Sequence, residues 1–103
     1  MNGEQILTNT TSQNWIDRTS RASILKIFSS LSEGELVLKE QGVLVDSFGQ
    51  KGSTLHAEIN ILDLRTYKRL LFGGSIASGE TYSEHMWETP NLTNVVRIFA
   101  RNM

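Results

Sequence analysis

The feature that most constrains this chain is a glycine pair set between two helix-like runs, Gly73-Gly74 within LLFGGSIASGETYSEHMW (residues 70–87). Adjacent glycines mark backbone that needs positive φ or an approach too close for a Cβ. The spacing predicts a helix ending at Gly73-Gly74 and a second beginning near Ser75, a suitable N-cap residue. Gly79 and Glu80 follow within about a turn, the only two tyrosines (Tyr67 and Tyr82) flank the pair, and Trp87 closes the segment. Close packing is expected there.

Composition removes several function classes. A chain of 103 residues makes one domain, burying about 60–70% of its unfolded surface. A net charge of −1 gives no electrostatic footprint for nucleic acid. The absence of cysteine excludes disulfides, zinc–thiolate sites and a thiol nucleophile, and it suits a reducing cytoplasm. The start, MNGEQILTNTTSQ, has neither the basic nor the apolar region of a signal peptide. No apolar run approaches the roughly 18 residues of a transmembrane helix. A soluble, cytoplasmic domain is expected, with any membrane contact peripheral, at the inner face.

Along the chain, residues 1–14 are polar and without period, which predicts a flexible tail ahead of a single domain over 15–103. Positions 21, 24, 25, 28 and 31 follow helical spacing, predicting an amphipathic helix from Arg18 to Leu31, stopped by Gly34. The period then changes to two. Leu36 and Leu38 share a face, Gln41-Gly42 makes a turn, and Val43 and Val45 share a face of a second strand. Leu55, Ala57, Ile59 and Ile61 alternate with His56, Glu58 and Asn60, the clearest half-buried strand. The three strands are expected to form an antiparallel meander. Asp63 can cap a helix over Arg65 to Phe72, and Thr89-Pro90 can open a last helix bearing Leu92, Val95, Val96 and Phe99. The expected architecture is α+β, a small antiparallel sheet of about three strands covered by helices.

The run GGSIASGETYSEHMWETPNLTNVVRIFARN (residues 73–102) resembles the end of the N-terminal domain of cyclopropane-fatty-acyl-phospholipid synthases and related S-adenosylmethionine-dependent methyltransferases. Their pattern is G-G-S-x-G-x-G-E-x-Y-x-x-G-x-W, followed by a helix with "DLT". Gly73, Gly74, Ser75, Gly79, Glu80, Tyr82 and Trp87 match it, as do Leu92 and Thr93, and Ile59 to Leu71 is similar to the segment before it. Ala77 and His85 stand where the family usually has glycine, and Asn91 where it has an acid. The likeness covers roughly residues 20–103.

The resemblance implies a sterol-carrier-like fold and a non-catalytic domain that engages phospholipid, its own catalytic domain or a second copy in a homodimer. The parent enzyme would bind S-adenosylmethionine in a separate Rossmann-like domain. It would transfer a methylene or methyl group to an acyl double bond.

Within these residues the chemistry is thin. His56 and His85 are far apart and belong to no metal-binding spacing, and His56 lies on the expected solvent face. Glu80, among glycines, is either a buried carboxylate with a shifted pKa or a partner of backbone N–H groups at the turn. The spacing G-G-S-x-x-x-G resembles a phosphate cradle, but no G-K-S/T follows and a helix precedes it. Arg65, Lys68 and Arg69, with Arg18 and Arg21, are either solvated helix faces or basic patches for lipid head groups. Phe72, Met86 and Trp87 are expected in the core, with lipid contact as the sharper alternative. No catalytic, cofactor-binding or metal-ligating residue is assigned. The competing readings are a stand-alone protein-interaction scaffold and a small enzyme centred on Glu80 and His85.

Overall fold

The structure, a computed structural model, describes the backbone from Asn2 to Met103 and side chains from Trp15 onward. The expected flexible tail over residues 1–14 lies outside the fully described part. Among the described residues the fold is α+β, with three helices and a four-stranded mixed sheet.

Helix α1 (Asn2–Phe28) turns Ile24 and Phe28 into the core, as their spacing predicts. It stops three residues before the expected Leu31. The hydroxyls of Ser29 and Ser30 donate to the carbonyls of Lys26 (2.6 Å) and Ile27 (2.7 Å), the local side-chain competition that ends helices.

Strands β1 (Glu35–Glu40) and β2 (Val43–Gly49) form the expected hairpin. Positive φ at Gln41 (48°) and Gly42 (82°) gives the type I′ turn suited to sheet twist. Strand β3 (His56–Ile61) departs from the expected meander: it lies on the other side of β1 and runs parallel to it, Glu35 beside His56 and Glu40 beside Ile61. The linker between β2 and β3 crosses the start of β1, where Gln50 N–H donates to the Gly34 carbonyl (2.7 Å) and Glu35 N–H to that of Leu55 (2.8 Å). Alternating burial fixes which face a strand buries, not which neighbour it takes. A fourth strand, β4 (Trp87–Glu88), pairs antiparallel with β3 and completes the order β2-β1-β3-β4.

One sheet face carries the core. Leu36, Leu38, Ala57, Ile59 and Ile61 pack against Ile24, Phe28, Tyr67, Val95 and Ile98. The other face is polar and wet, with Glu35 3.2 Å from His56 and Lys39 3.2 Å from Glu58. Val43 and Leu44, by contrast, are 69% and 63% exposed. A register shift opposite Leu38/Lys39 leaves Val45 without a partner residue. The bulge resets the alternation on this edge strand, so only Val45 packs on the core and the expected shared face of Val43 and Val45 is broken.

Helix α3 (Leu92–Arg101) presses Val95 and Ile98 onto the sheet. Its cap is Asn91, whose side chain accepts from Asn94 N–H (3.1 Å), rather than Thr89-Pro90. The Thr89 hydroxyl holds the preceding turn by accepting from Asn91 N–H (3.2 Å). At the other end Asn102 Oδ1 accepts from Ser32 N–H (2.8 Å) and Glu33 N–H (3.1 Å), while its Nδ2 donates to the Ile98 and Glu33 carbonyls (2.7 and 2.9 Å). One amide thus fastens the chain's end to the link between α1 and β1.

Candidate functional site

Helix α2 (Thr66–Ser83) holds the glycine segment. Its entry is organised by Asp63, whose carboxylate accepts from Arg65 N–H (2.9 Å) and pairs with the Arg65 guanidinium (2.6 Å). That guanidinium, with the backbone bond, holds the Asp63 carboxyl below its ordinary value.

The break falls where the sequence predicts it. Gly74 adopts φ 57°, ψ −138°, a conformation strained for any residue with a Cβ. Gly73 is needed for a different reason: a Cβ there would stand 2.5 Å from the Ala77 Cβ. From Phe72 through Ile76 every residue is exposed, Ser75 included, and Phe72 and Ile76 are 79% and 77% exposed. Phe72 is therefore not a core residue. Tyr67 takes the inward position on this half of the helix, and five residues at 100° each turn Phe72 about 140° away from it. Ile76, which its sequence context does not single out, is the second apolar residue at this corner.

Beyond the corner the chain is anchored. Thr81 is fully buried and its hydroxyl donates to the Ala77 carbonyl (2.6 Å). The Trp87 indole N–H reaches Thr81 Oγ1 (3.0 Å) and the Ser78 carbonyl (3.2 Å), and Tyr82 stacks 5.0 Å from the Trp87 ring. Met86 and Trp87 are buried, as expected. The helix closes with a Schellman pattern, His85 N–H donating to the Tyr82 carbonyl (3.1 Å) and Met86 N–H to that of Thr81 (2.9 Å). His85 occupies the left-handed position of this cap, φ 60°, where glycine is most at ease. This is the physical content of its departure from the glycine pattern.

Glu80 is not a buried carboxylate. Its side chain is 59% exposed and 3.9 Å from Arg69, which also pairs with Glu84 (2.8 Å) and donates to Met86 Sδ (3.2 Å). No hydrogen bond joins Glu80 to His85 among the described residues. Gly79 is exposed with open space where a Cβ would stand. No group of three or more metal-ligating side chains occurs among the described residues.

The basic residues fall beside two clefts. One, of about 220 Å³, is lined by Arg65, Lys68, Arg69, Glu84 and Met86. The other, of about 300 Å³, lies between α1 and the start of α2 and is lined by Asp17, Arg18, Arg21, Leu64 and Tyr67. Under the second, the Tyr67 hydroxyl donates to Glu40 (2.7 Å) and Arg21 Nε to the same carboxylate oxygen (2.6 Å). Burial, then the Glu40 carboxylate, pushes the Tyr67 phenol well above its usual value. Burial pushes the Glu40 carboxyl up, but the bonds from Arg21 and Tyr67 outweigh it and leave the group below its ordinary value. Lys68 and Arg18 make no ion pair among the described residues.

Comparison of the chain with protein families, with curated proteins and with solved structures yields no match. The α2 corner and the clefts beside it are thus described by their own geometry.

Proposed function

We propose that this chain is a non-catalytic, lipid-engaging domain of an S-adenosylmethionine-dependent enzyme similar to the cyclopropane-fatty-acyl-phospholipid synthases. The observation that carries the reading is the α2 corner, where Phe72 and Ile76 stand in water on either side of a fixed backbone break. Burying a side chain of this size is worth about 1.5–3 kcal/mol, so a hydrocarbon surface meeting the corner gains from both. Lys68, four residues before Phe72, supplies a cation for anionic head groups. No described helix is long and apolar enough to cross a membrane, so contact of this kind is peripheral. In this reading S-adenosylmethionine and the transfer chemistry belong to a separate catalytic domain.

The test is co-sedimentation with vesicles of phosphatidylglycerol and unsaturated phosphatidylethanolamine. Binding that saturates with lipid and weakens when Phe72 is replaced by serine supports the reading; no protein in the pellet overturns it. Trp87 is no longer a lipid-contact candidate, because it is buried and holds Thr81.

A second reading, a scaffold or homodimer acting by protein contact alone, draws on the exposed Val43 and Leu44 of edge strand β2. It predicts association at high concentration. A monomeric sedimentation profile counts against it.

A further inference from the structure

Arg21 is the natural helical partner of Asp17, four residues before it. Its guanidinium is instead committed to Glu40. Asp17 is left half-buried, its Oδ1 buried without a hydrogen-bond partner. A buried acceptor in this state costs free energy that a donor would recover. Beside it Arg18 is exposed and pairs with no acid among the described residues. Both line the same 300 Å³ cleft, whose remaining walls are Leu64, Tyr67 and the occupied Arg21. Its size is at the lower end of small-ligand sites.

An acid and a base side by side, not neutralising one another, above a partly apolar wall, complement a small zwitterion. We infer that this cleft binds a phosphate–ammonium group of the phosphoethanolamine type. The ammonium donates to the Asp17 carboxylate and the phosphate accepts from the Arg18 guanidinium. Arg21, held by Glu40, adds positive potential behind the phosphate. Leu64, half-exposed at the mouth, receives the carbon skeleton. The inference rests on the lipid reading only for the source of the group, since free phosphoethanolamine offers the same contacts. A protein lysine would satisfy Asp17 alone and would not need Arg18.

The test is an amide-shift titration of the whole chain with glycerophosphoethanolamine and with glycerophosphocholine, whose quaternary ammonium has no N–H to donate. The expected result is shifts confined to residues near 16–21 and 64–68, with the choline compound binding about tenfold more weakly. Asp17→Asn, which keeps the side-chain shape, removes that preference. Arg18→Gln weakens both compounds by about tenfold. Absence of these shifts, wild-type preference in Asp17→Asn, or unchanged binding in Arg18→Gln overturns the inference. Vesicles separate the sources. Soluble binding without sedimentation on phosphatidylethanolamine vesicles keeps the cleft and removes the lipid reading. Sedimentation indifferent to head group and to Asp17→Asn keeps the lipid reading and removes the cleft.

Discussion

The corner of α2 and the segment that follows it lie within about twenty residues of one another and are built on opposite terms. From Phe72 to Ile76 the chain is exposed and held only by its own backbone geometry. From Ala77 to Trp87 a buried threonine, an indole N–H, a stacked tyrosine and a Schellman closure fix it to the sheet edge. An exposed apolar corner can be kept free for a partner when the anchoring lies elsewhere. Phe72 and Trp87, both aromatic and both within the glycine segment, therefore have separate roles.

The sharpest way to break this contrast is to truncate one aromatic of each kind. Trp87→Ala should cost about 3–5 kcal/mol, through lost burial and an unpaired Thr81 hydroxyl. Phe72→Ala should leave stability within about 0.5 kcal/mol. Urea unfolding of both variants checks this, and equal losses would erase the distinction. Next in size is the break itself. Gly74→Ala should cost about 1–3 kcal/mol, because alanine must adopt a strained conformation. A mild effect would mean that the corner straightens freely.

The latch beneath the second cleft gives a smaller effect with a pH signature. Tyr67→Phe removes one of the two donors to Glu40 and should cost about 1–2 kcal/mol near neutral pH. Glu40 titrates below its ordinary value in the folded chain. Its contribution is therefore present above the unfolded value of about 4.3 and is lost as pH falls through the native one. Urea midpoints followed downward from pH 6 should show the wild type and Tyr67→Phe converging in acid. A constant gap would assign the cost to packing instead. Smallest are two gains: Gly79→Ala and His85→Gly should each stabilise by about 0.5–1 kcal/mol, the first from helix propensity and the second from relief of the positive φ. Thermal unfolding checks both, and a loss in either would mean a contact at that position that the structure does not show.

Much of the fold is legible in the sequence because its signals are local. The alternation of Leu55, Ala57, Ile59 and Ile61 places all four in the core, the Gln41-Gly42 turn forms, and the helix breaks at Gly73-Gly74. What escapes is set by distant partners. The parallel pairing of β3 with β1 depends on a linker crossing Gly34. β4 is two residues long and carries no period of its own. Asn102 gives no signal at all, since its partners lie about seventy residues away. The site shows the same division. Trp87 in the core follows from its apolar character, whereas Phe72 is misplaced because an aromatic beside leucines reads as core until the helical angle is drawn. Ile76 and Asp17 are visible only once the break and the Arg21–Glu40 pair are in place.

The most direct test of the account is vesicle sedimentation of the wild type and of Phe72→Ser/Ile76→Ser, with thermal unfolding measured on the same samples. The account predicts that the double variant melts with the wild type and no longer sediments with lipid. Unchanged sedimentation would contradict it, and so would a melting temperature as low as that of Trp87→Ala, which would return the corner to the core.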